Sequence, residues 1–118
     1  MNIQPLYTKV LMSQVLVHQN AVYLAGRFAD AIPAENDLDI QAGNTLAAIE
    51  QVLAEAGSDK TRLLSATIYL KDIQADLEQM DRIWGQWLPE GVVPVRAALE
   101  AERVQPDVLV EIAMVAAL

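Results

Sequence analysis

Apolar and polar positions alternate in short runs toward both ends of the chain and recur every three or four residues in two longer stretches between them. A period of two marks strands, and a spacing of three or four marks one face of a helix. Residues 7–17 read as one strand or two short ones, ending in Val15-Leu16-Val17. His18-Gln19-Asn20 follow as a turn, with Asn20 suited to a left-handed backbone. Residues 21–25 return as the next strand of a hairpin. Gly26 stands at its end, where a missing Cβ permits an unusual φ or the close approach of another group. Arg27 then reads as a solvated loop cation, and residues 28–36, with Pro33, as a loop.

A helix begins near Asp37 or Asp39, either of which can cap it. Leu38, Ala42, Leu46, Ile49, Leu53 and Ala56 form its apolar stripe, and Gly57 closes it. Gly43 inside this helix suggests close backbone packing. After a turn at Ser58-Asp59-Lys60, residues 62–70 read as a strand with Leu64, Ala66, Ile68 and Leu70 on one face. Asp72 caps a second helix with the stripe Leu77, Met80, Ile83, Trp84, Trp87 and Leu88, stopped by Pro89 and Gly91. Its tryptophans read as core or interface anchors.

Two strands complete the pattern, one around Pro94-Val95-Arg96 and one from Val108 onward, with Pro106 in the polar break between them. In the last strand Val108, Val110, Ile112 and Met114 share one face, and Leu109, Glu111, Ala113 and Val115 the other. Apart from Glu111 both faces are apolar, so both are expected to be covered. Two helices cover one face of a sheet, and a second copy of the chain is expected to cover the other. A hairpin centred between Arg103 and Val104 would set Arg96 opposite Glu111 as a cross-strand ion pair. Alternatively, the two form a polar site in an apolar pocket: a guanidinium fork for a carboxylate, and a carboxylate that orients water. Spacing leaves both readings open.

At 118 residues the chain makes a single domain, 1–118, of α+β class. Its 53% hydrophobic content is high for its size, yet no apolar run reaches membrane-spanning length, and the first residues do not resemble a signal peptide. With no cysteine, disulfides and thiolate metal sites are excluded, and a cytoplasmic location is expected. A net charge of −8 argues against nucleic-acid binding. His18 is the sole histidine and falls in the turn, which argues against a histidine triad or a multi-histidine metal site. Residues 35–39 carry carboxylates better explained by a helix start than by a cation. No cofactor motif occurs.

Several strings in order resemble the RidA/YjgF family of reactive-intermediate (enamine/imine) deaminases. They are Val22-Tyr23-Leu24-Ala25-Gly26, then Asn44-Thr45-Leu46 through Val52-Leu53-Ala54-Glu55-Ala56-Gly57, and Ala66-Thr67-Ile68-Tyr69-Leu70-Lys71-Asp72. Pro94-Val95-Arg96 and Val110-Glu111-Ile112, before Val115-Ala116-Ala117, complete the series, with fifteen residues from Arg96 to Glu111. The similarity runs from about His18 to the end and is greatest to YoaB-like members.

The resemblance implies a chorismate-mutase-like (YjgF-type) sandwich: a mixed sheet with two helices on one face, assembled as a homotrimer with sheets inside and clefts between subunits. It implies that the last strand inserts into the sheet rather than forming the hairpin. It also implies hydrolysis of 2-imino acids, formed from enamines released by pyridoxal-phosphate enzymes, to 2-keto acids and ammonia without metal or cofactor. A non-catalytic trimer binding a 2-keto or amino acid is the alternative.

Arg96 matches the arginine that holds the substrate carboxylate, Glu111 the carboxylate that positions water, and Gly26 the glycine that lines the cleft. The chain departs from the family at four wall positions. Met12 falls where a cleft tyrosine is usual, although Tyr7 is near; Ala98 replaces a cysteine, Arg27 a common glutamine, and Asp81 an asparagine. A shifted substrate range is expected.

Overall fold

A computed structural model describes residues 3–8, 13–27, 37–102 and 107–118, with the side chains of 6–8, 13, 14 and 27 excepted. Met12, the 28–36 loop and the Pro106 break lie outside the described residues. The elements run β1 (Ile3–Thr8), β2 (Ser13–His18), β3 (Ala21–Arg27), α1 (Leu38–Glu55), a 3₁₀ turn (Lys60–Arg62), β4 (Leu63–Leu70), α2 (Ile73–Trp87), β5 (Val95–Glu100) and β6 (Val110–Ala117). One mixed sheet takes all six strands in the order β1-β2-β3-β6-β4-β5. The α+β class, the mixed sheet and the two helices on one face are as the sequence led us to expect.

Both helices start where an aspartate can accept an orphan amide. The Asp37 carboxylate accepts from Ile40 N at 3.3 Å, and the Asp72 carboxylate from Ala75 N at 3.1 Å. Gly57 ends α1 at φ +91°, a value that favours glycine. The α1 stripe packs as anticipated, with Leu38, Ala42, Leu46, Ile49 and Leu53 all buried in the core that α1 forms with α2, β6 and β3. On α2, Met80 and Trp84 are buried, and Trp87 lies 5.4 Å from Trp84 between ring centroids.

Four local expectations are corrected. The β2–β3 turn is Gln19-Asn20, with Gln19 rather than Asn20 at positive φ, and His18 ends β2. β3 continues through Gly26 and Arg27, so the Arg27 backbone belongs to a strand rather than a loop. Gly43 faces open space, so close packing does not explain it. In β4 Leu63 is buried and Leu64 exposed, because a register shift against β6 between Leu63 and Ser65 moves the apolar face by one residue.

For β5 and β6 the hairpin that spacing allowed is corrected, while the insertion of the last strand into the sheet that the resemblance implied is what the fold shows. The two strands do not form a hairpin. β6 runs antiparallel between β3 and β4, while β5 lies parallel to β4 on its far side. Val110, Ile112, Met114 and Ala116 of β6 are buried beneath the helices, and Glu111, Ala113 and Val115 are half-buried on the opposite face. That second face is uncovered within one chain.

The approach to β6 is fixed by Gln41, only 2% exposed on α1. Its amide nitrogen donates to Asp107 O at 2.9 Å and its amide oxygen accepts from Leu109 N at 2.8 Å, so the side chain substitutes for a neighbouring strand. Gln41→Leu leaves two backbone groups without partners and is expected to cost about 2–4 kcal/mol in urea unfolding.

Candidate functional site

The alternation of β6 points Glu111 onto the open sheet face, where its register partner is Tyr69 of β4. Across β6, Leu24 pairs with Met114 and Arg27 with Ile112, so Ala25 and Gly26 together oppose Ala113. This bulge turns Gly26 toward the Glu111 side chain. A Cβ at position 26 would stand 3.0 Å from Glu111 Cδ and nearer still to Oε1. Only glycine leaves room for the carboxylate there. Sequence reasoning allowed either an unusual φ or a close approach for Gly26, and the close approach is what the fold uses.

Arg96 is placed differently. Its register partner on β4 is Ala66, which in turn pairs with Met114, so it projects on the helix-covered side. Ala98 pairs with Ile68 on that same side. There Arg96 Nη1 meets Asp81 Oδ1 of α2 at 2.7 Å, with the arginine side chain 26% exposed and the aspartate 47%. The sequence flagged Asp81 as a departure but not as a partner of Arg96. Its signal was a carboxylate on the helix that packs over β5.

Two half-sites result: Gly26 with Glu111 on the open face, and Arg96 with Ala98 and Asp81 at the helix-side edge. Arg96 and Glu111 lie on strands that flank β4, displaced along it from Ala66 to Tyr69. Two strand spacings and three residue rises separate their backbones by about 14 Å. Their side chains also leave opposite faces, so one chain does not bring them together. The cross-strand ion pair is thereby excluded within the protomer. Of the other expected site residues, Arg27 is placed by its backbone in β3 beside Ile112, and Met12 lies outside the described residues.

Among the described residues no group of acidic or histidine side chains is arranged to hold a metal. Among them, too, no helix is long and apolar enough to cross a membrane. The carboxyl groups of Asp59 and Asp76 are shifted in opposite directions. Hydrogen bonds from Thr61 hold Asp59 below its ordinary value, and burial followed by the nearby Asp72 charge raises Asp76. Neither belongs to the two half-sites.

Comparison with known proteins gives a consistent result. The family model described as endoribonuclease L-PSP matches residues 4–118. The RutC family protein YoaB of Escherichia coli K12 is 39% identical over 107 residues, covering 89% of each chain. A RutC family protein of Haemophilus influenzae is 33% identical over 116 residues and 98% of each chain. Among solved structures, a YjgF family protein from Neisseria meningitidis superposes with a TM-score of 0.90 at 32% identity, covering 99% of this chain and 95% of the other.

Proposed function

The chain belongs to the YjgF/RidA/RutC family, and on that footing we propose that it hydrolyses 2-imino acids to 2-keto acids and ammonia. The observation that carries this reading is the seating of Glu111 against Gly26. The carboxylate lies on the open face directly over bare backbone, in space that a Cβ at position 26 would take from it. Such a place suits a group that holds a water molecule beside a flat electrophile.

The cleft needs two protomers. Arg96 and Glu111 diverge within one chain, and Tyr23, Val95 and Leu99 expose apolar surface on the uncovered face. An apolar sheet face of this kind is usually covered by a partner. In the proposed assembly the open faces of three chains turn inward, and one protomer's Arg96 edge meets the Glu111 face of the next. The number three follows from the family resemblance.

The Arg96 guanidinium binds the substrate carboxylate. Glu111 holds water against the iminium carbon and takes a proton as the carbon–oxygen bond forms and the C=N π electrons move to nitrogen. It then returns that proton to the departing nitrogen, and as the carbinolamine collapses Glu111 accepts the hydroxyl proton and passes it to solvent, leaving the 2-keto acid and ammonia. Placement of water and substrate together carries most of the rate gain.

The test generates 2-imino acids in place with an amino-acid oxidase and traps the survivors with semicarbazide. With the protein present, less imine is expected to reach the trap. If every imine in a varied panel survives as long as in buffer while the oligomer is intact, the hydrolytic reading fails.

A further inference from the structure

The Arg96–Asp81 contact has a consequence for which ligands the guanidinium accepts. Asp81 occupies Nη1 at 2.7 Å and makes the pair electrically neutral. An arginine presents two forks to a carboxylate, and the side formed by Nε and Nη2 does not use Nη1. A ligand carboxylate can therefore dock on that side with the Asp81 bond kept. It then shares one positive charge with a second carboxylate lying across the guanidinium.

This sharing affects the two partners of the reaction unequally. A 2-iminium acid carries one negative and one positive charge a bond apart and is neutral as a whole. Its 2-keto acid product has lost the positive charge and is a net anion. Beside a neutral Arg–Asp pair, repulsion of the ligand carboxylate by Asp81 is offset by attraction of the adjacent cationic nitrogen. For the keto acid that repulsion stands alone.

We propose that Asp81 is a charge-selecting residue, which through its contact with Arg96 makes the site favour a zwitterionic 2-imino acid over the anionic 2-keto acid. The assignment rests on the carboxylate-binding role of Arg96 given above. Its effect is to let product leave and to limit inhibition by keto acids. Asp81 is a specificity determinant and takes no part in bond making.

The experiment measures calorimetric Kd values for pyruvate and alanine, the latter a stable zwitterion of the same skeleton, with the wild-type protein and Asp81→Asn. Asp81→Ser serves as a second neutral variant, and thermal unfolding checks that each remains folded. Because both side chains are partly exposed, pyruvate is expected to bind about 5- to 10-fold tighter in the variants. The affinity for alanine is expected to change less than about twofold, because its charges offset. Equal tightening of both ligands, or no tightening of pyruvate, overturns the proposal and leaves the Arg96 site standing. No pyruvate binding by wild type or either variant removes the Arg96 site itself and the proposal with it.

Discussion

Gly26→Ala is expected to lower kcat for imine hydrolysis by about 100-fold or more, the usual contribution of a positioned general base. The added Cβ would stand 3.0 Å from Glu111 Cδ, and closer to Oε1, so the carboxylate must swing off the bulge. Position 26 has no left-handed φ among the described residues, so alanine strains the side chain of Glu111 rather than the backbone. Stability should accordingly change little, while Glu111→Gln should lose a similar factor without moving the chain. Steady-state rates in the semicarbazide assay, with denaturation midpoints for each variant, check this. If Gly26→Ala and Glu111→Gln both turn over like the wild type, Glu111 does not position the water. If both bind keto acids like the wild type and there was no activity to lose, the chain is a binder rather than a hydrolase.

Arg96→Ala is the second large effect. Removing two charge-assisted hydrogen bonds to a carboxylate is expected to raise KM by about 100-fold. It should also restore the trapped-imine signal at substrate concentrations where the wild-type protein suppresses it. Asp81 loses its partner, but at 47% exposure it can turn to solvent, so the fold should persist. Unchanged KM in a folded Arg96→Ala variant would show that the carboxylate is held elsewhere. Because Arg96 and Glu111 are expected to serve one cleft from different chains, mixing Arg96→Ala with Glu111→Gln protomers should restore part of the activity that each lacks alone.

Much of this architecture could be read from local rules, because local rules act within a few residues. Asp37 and Asp72 announced their helices as caps, Gly57 announced the end of α1, and the stripe from Leu38 to Leu53 is the buried face. What escaped was set by distant partners. Nothing in the spacing between Arg96 and Glu111 says that β3 and β4 will accept β6 between them, so symmetry around residues 103–104 suggested a hairpin. A single register shift beside Ser65 was enough to exchange Leu63 for Leu64. The site divides in the same way: Gly26, Arg96 and Glu111 could be named from family strings, but their separation depends on strand order. The Asp81 contact depends on how α2 crosses β5. Gln41 was missed because a polar residue beside an apolar stripe normally faces water, and here it serves as a backbone partner.

The position of β6 also shapes how the chain reaches its native state. The strand that comes after all the others in sequence occupies the middle of the sheet. During synthesis β3 and β4 are made long before the strand that separates them, and their facing edges have no permanent partner until β6 emerges. Such edges invite wrong pairing, with each other or with neighbouring nascent chains. The decisive closure joins segments far apart in the chain, a slow kind of step. In the folded chain Gln41 on α1 holds Asp107 and Leu109, and so ties the approach to that central strand to a helix made well before it.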